Sequence, residues 1–177
     1  MTRLCLTAVL CSLVGASAAP RLPAQAPAPS LLSGTATGVS LDRFEAEGEG
    51  ITTLSLRVTT LKPHTIGTDF ALSVWPEGVA YGALAMGIDV GPAYNLAAPH
   101  STLLIKAGLS AAMAAAGGWA GAAAGAYVGA GLVGRLAPRL GVRMDAALHG
   151  YTALGAEGAV LPVLSMSIGL TSLPAPH

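Results

Sequence analysis

From residue 37 onward the chain falls into runs of strand length in which apolar and polar residues alternate, and almost every run keeps one apolar face. A period of two is the mark of β-strands with two different environments. In 51–61, Leu54, Leu56 and Val58 oppose Ser55, Arg57 and Thr59. In 65–75, Phe70, Leu72 and Val74 oppose Asp69, Ala71 and Ser73. Within 79–96, Leu84, Met86, Ile88 and Val90 oppose Ala85, Gly87, Asp89 and Gly91. In 102–113, Leu103, Ile105, Ala107 and Leu109 oppose Lys106, Gly108 and Ser110, and Leu104 interrupts the polar face. In 139–151, Leu140, Val142, Met144, Ala146 and Leu148 oppose Gly141, Arg143, Asp145, Ala147 and His149. In 160–173, Leu164, Met166, Ile168 and Leu170 oppose Ser165, Ser167, Gly169 and Thr171. With the weaker runs 37–47 and 125–136, about eight strands result, an even number.

Which face points inward decides the class of protein. Charged residues are only 10% of the chain and hydrophobic residues 53%, against about 25% charged in a soluble domain. The polar faces carry Arg57, Asp69, Asp89, Lys106, Arg143 and Asp145 among many Gly, Ala and Ser. An eight-stranded barrel has an interior just wide enough for side chains, and three basic and three acidic groups can pair there. The expected fold is therefore all-β: an eight-stranded antiparallel up-and-down transmembrane barrel over 34–173, with its edges closed because lipid cannot satisfy them. Leu54, Leu56, Leu84, Met86, Leu140, Val142, Met166 and Ile168 are expected to face lipid. Connections around 62–64, 97–101 and 137–138 are short. Those at 114–124 and 152–159 are the longest, as in barrels with short periplasmic turns and longer outer loops. A soluble exported barrel is the alternative, but its surface would be unusually poor in charge.

Residues 1–18 read as a secretory signal peptide: Arg3, an apolar run over 4–14, and Ala16-Ser17-Ala18 as the cleavage site. Residues 19–33 form a Pro/Ala-rich linker, and 174–177 a short tail. Both cysteines, Cys5 and Cys11, fall in the leader, so the mature chain is expected to have no disulfide and no thiolate chemistry. Lys plus Arg number 9 and Asp plus Glu 9, with no basic excess to suggest nucleic acid. The strand count, alternation and leader together resemble the small outer-membrane barrels of the OmpA/OmpX type within the porin-like superfamily. That resemblance implies a location in the bacterial outer membrane and lipid as the partner. Trp75, Tyr81, Tyr127 and Tyr151 fall near the outer rim with lumen parity, and Tyr94 has lipid parity near the inner rim.

Two rival readings concern the middle of the chain and its chemistry. Residues 107–134 carry no charge, and Gly117, Gly121, Gly125 and Gly129 recur every four residues, a small-xxx-small pattern resembling a glycine-zipper membrane helix. The dense glycine content and the alternating runs on both sides argue against it. No phosphate loop, H-E-x-x-H or G-x-S-x-G is present. His64 and His100 lie in turns and His177 is the last residue, so no metal site or cofactor is expected. His149 is the one strand histidine, with Asp145 four residues away on its face and Ser73 a conceivable partner in a lipid-modifying hydrolase. The simpler reading is a satisfied lumen residue and no enzyme. Glu45, Glu47 and Glu49 form a solvated rim. The expected function is a structural, interaction or narrow-channel barrel whose lumen is plugged by paired charges.

Overall fold

The computed structural model describes residues 31–154 and 160–174. The leader, all but the last three linker residues, and part of the 152–159 connection lie outside them. Eight strands follow in order: β1 (Gly34–Ala46), β2 (Glu49–Leu61), β3 (Ile66–Val74), β4 (Ala83–Ala98), β5 (Ser101–Ala116), β6 (Trp119–Ala137), β7 (Leu140–Ala153) and β8 (Leu161–Ser172). Each pairs antiparallel with the next, and β1 pairs with β8, which closes the barrel. One short helix, α1 (Pro76–Ala80), fills the β3–β4 connection. Pro76 and Gly78 mark this stretch as a break in the sequence, and Pro at the first helical turn suits a helix start.

Alternation maps directly onto the two walls. Leu54, Leu56, Leu84, Leu140, Met166 and Ile168 are exposed on the outer surface. Met86 and Val142 share their parity and are half-buried. Val39, Leu41, Val90, Leu109 and Leu170 extend the same apolar belt. Among the described residues no helix is long and apolar enough to cross a membrane.

The structure corrects two readings of the middle of the chain. Residues 114–124 are not a loop: β5 runs on to Ala116 and β6 starts at Trp119, leaving only Gly117-Gly118 as the turn. Both have positive φ, 56° and 84°, the geometry of a two-residue hairpin turn that glycine enters without a Cβ clash. The β1–β2 turn, Glu47-Gly48, is equally short and also has positive φ at both residues. The expectation of a long connection at 114–124 therefore fails, because small residues are as compatible with a strand as with a loop. The zipper helix over 107–134 is likewise replaced by β5 and β6. A spacing of four places residues on one face of a strand as well as of a helix, and Gly121, Gly125 and Gly129 share the inward face of β6.

Candidate functional site

The lumen is layered. At the end bearing the described termini, Leu32, Ala36, Leu61, Leu104, Val133 and Leu173 form a fully buried apolar cluster. Leu104, the residue that interrupts its strand's polar face, belongs to this plug. Leu32, read from the sequence as linker, folds into it, and Leu173 enters from just beyond β8. The cluster closes the barrel at that end with side chains from β1, β2, β5 and β6 and from both flanking segments.

Above the plug lies the charged layer. Arg143 on β7 donates to Asp145 at 2.7 and 2.9 Å, to Asp69 on β3 at 2.8 Å, and to Thr59. Lys106 on β5 bridges the same two carboxylates, at 2.5 Å to Asp145 and 3.3 Å to Asp69. Thr59 donates to Asp69, and Ser167 to Asp145 at 3.3 Å. Beside this square, Arg57 pairs with Asp42 at 2.6 Å, and Ser40 and Ser55 each donate to Asp42 at 2.7 Å. Charges withdrawn this far from water require partners of this quality.

The sequence reading paired three bases with Asp69, Asp89 and Asp145. The structure differs: the third partner is Asp42, and Asp89 stands outside the Arg–Lys network. The alternation of Ser40, Asp42 and Phe44 with Val39, Leu41 and Arg43 carries this signal, but it is weak because Arg43 breaks the apolar face.

The third layer is built around His149. Its Nδ1 is 3.1 Å from Ser110 Oγ and its Nε2 is 2.9 Å from Ser165 Oγ. Ser110 donates to Asp89 Oδ1 at 2.5 Å, and His149 Nδ1 lies 3.7 Å from the same oxygen. The rings of Tyr127, Tyr151 and Phe44 surround the imidazole at 5.6, 5.6 and 5.7 Å. Asp145, expected beside His149, is instead in the charged layer. Four residues along a strand are about 13 Å, too far for contact. Ser73 hydrogen-bonds Ser55 at 2.7 Å rather than His149.

Toward the hairpin end a cavity of about 390 Å³ opens above this layer. Register creates it. Ser73, Gly87, Ala112, Ala123 and Ala153 lie side by side across β3 to β7, a belt of small inward residues where larger ones would fill the bore. Phe44, Ile51 and Val163 complete the apolar wall, Trp119 lies at the mouth, and Asp89 and Tyr151 face the cavity from below. The Asp89 side chain is 13% exposed, whereas those of Asp42, Asp69 and Asp145 are 0, 1 and 3% exposed.

No protein-family model matches the sequence, and no curated protein matches it. The barrel is similar to several solved structures. Neisserial surface protein A has a TM-score of 0.52 at 11% identity, over 78% of this chain and 94% of that one. The N-terminal β-barrel domain of Pseudomonas aeruginosa OprF gives 0.53 at 10%, over 79% and 98%. The attachment invasion locus protein Ail of Yersinia pestis, in complex with the heparin analogue sucrose octasulfate, gives 0.50 at 13%, over 82% and 99%. At these identities the likeness is one of architecture. The chain has the fold of the small eight-stranded outer-membrane β-barrels.

Proposed function

We propose that this protein is a bacterial outer-membrane barrel with a sealed lumen, which acts through its lipid-facing wall and its hairpin end rather than by passing solutes. The observation that carries the reading is the double seal. A salt-bridged layer spans the bore, and an apolar plug closes it below. An apolar belt around a closed barrel is stable against lipid, whereas in water it would be a large aggregating patch. Asp69, Lys106, Arg143 and Asp145, with Arg57 and Asp42, act as the structural lock of the lumen. Asp89 is outside the lock.

The reading is also non-enzymatic. The Asp89–Ser110–His149–Ser165 chain has a histidine poised over a serine. Ser165, however, is buried and pairs in register with Phe44 of β1 and Ala147 of β7, so the nearby amides are committed to the ladder rather than free to bind an oxyanion. Binding of a sulfated ligand like that on Ail is disfavoured. Among the described residues the hairpin end carries Glu45, Glu47, Glu49 and Glu77 with Arg43 as its single base.

Planar-bilayer recording tests the seal. The wild-type protein is expected to show no steady conductance. The double variant Leu104→Ala/Arg143→Ala, which thins both barriers, is expected to show discrete openings. Steady conductance from the wild type would reject the sealed lumen.

A further inference from the structure

We infer that the cavity at the hairpin end is a binding site for a small amphiphilic amine, with its ammonium on Asp89 and its apolar body against the alanine belt. The first ground is charge accounting. Among the described residues between the plug and the mouth, the lumen carries four carboxylates, Asp42, Asp69, Asp89 and Asp145, and three Arg and Lys side chains, Arg57, Lys106 and Arg143. All three cations are used on Asp42, Asp69 and Asp145. Asp89 is the carboxylate left over. Its close contacts are Ser110, a neutral donor to Oδ1, and His149, whose ring is already held by Ser110 and Ser165.

The second ground is position. Among the described residues, Asp89 is the one ionisable carboxylate facing the cavity, and no Lys or Arg lines it. The walls above it are mostly Ala, Met, Ile, Val and aromatic carbon, with the hydroxyls of Thr53 and Ser73 among them. A volume of about 390 Å³ is of the size of small-molecule sites, which are mostly apolar with a few convergent polar groups. Tyr151 and Phe44 line the same cavity, and aromatic rings attract an ammonium further. The acidic residues at the hairpin end would draw cations toward the mouth.

A carboxylate-headed amphiphile meets the opposite conditions. Its head would face Asp89 without a cation, and its tail, if inverted, would desolvate that same carboxylate. The site therefore selects by sign of charge. It lies on the hairpin side of the charged layer, so it is independent of whether the lumen conducts.

The test uses the full-length protein in lipid nanodiscs at pH 8, where an ordinary histidine is neutral and an alkylamine is charged. Trp119 reports occupancy in a Trp75→Phe background, since the chain has 2 tryptophans. Octylamine is expected to give a saturable change in Trp119 emission about tenfold tighter than octanol, as a charge-assisted hydrogen bond requires, and octanoate is expected to give none. Asp89→Asn should reduce octylamine to the octanol level. Ala123→Leu, which keeps Asp89 and fills the belt, should abolish saturable binding of both. Both variants must keep the heat-modifiable gel mobility of the folded barrel. Equal binding of octylamine and octanoate, unchanged octylamine binding by Asp89→Asn, or no saturable signal with the wild type would overturn the inference.

Discussion

Arg143→Met is expected to lower the stability of the barrel by about 3–5 kcal/mol, the cost of removing one partner from a buried ion-pair cluster. The side chain's volume is largely kept, so the loss is electrostatic rather than a packing void. Arg143 makes three charge-assisted bonds, to two carboxylates on two strands, and a fourth contact to Thr59. Without it, Asp69 and Asp145 share Lys106 alone, and two negative charges face one positive charge in a medium that screens poorly. Arg57→Met is the internal comparison. It strips one cation from Asp42, but Ser40 and Ser55 still donate to that carboxylate at 2.7 Å each. Its penalty is expected to be clearly smaller. Urea unfolding midpoints in lipid vesicles measure both. Equal penalties would mean that the Asp69–Lys106–Arg143–Asp145 square is not the centre of the lock.

Ile168→Arg addresses the other wall. Ile168 lies within β8, is exposed, and pairs with Leu41 on β1 and Met144 on β7. An arginine on the lipid face at the bilayer midplane costs roughly 2–4 kcal/mol, falling to roughly 0–1 near the interfaces. The expected result is a midplane-sized loss for Ile168→Arg in vesicles and a near-neutral effect for Leu140→Arg at the first residue of β7. A near-neutral Ile168→Arg would show that the outer surface meets water.

Much of this architecture is legible in the sequence because alternation is a local property. Ser55 and Arg57, or Arg143 and Asp145, declare a face by their own spacing, and the apolar residues between them declare the other. The charged pairs were visible as types but not as partners. Arg143 and Asp69 are 74 residues apart in sequence, and only register between β1, β2, β3, β5 and β7 brings the layer together. Asp42 is masked because Arg43, Glu45 and Glu49 blur the pattern of the first hairpin. Ala114 to Ala124 misleads for a different reason: Gly and Ala carry little preference between loop, strand and helix. The plug is legible only in retrospect, as leucines at lumen parity near segment ends: Leu61, Leu104 and Leu173. The cavity is not legible at all along the chain. It exists because Gly87, Ala112, Ala123 and Ala153, on four different strands, fall in one register row across the sheet.

A cysteine-accessibility scan in proteoliposomes tests most directly whether the apolar wall is the lipid-facing one. The strands contain no cysteine, since the chain's two are Cys5 and Cys11, so single substitutions report cleanly. Cysteines at Leu54, Leu56, Met166 and Ile168 are expected to resist a membrane-impermeant maleimide until the bilayer is dissolved and the protein unfolded. A cysteine at Trp119, at the mouth of the cavity, is expected to react in the intact bilayer. Ready labelling at the four belt positions in intact bilayers would contradict a barrel that turns this face to lipid.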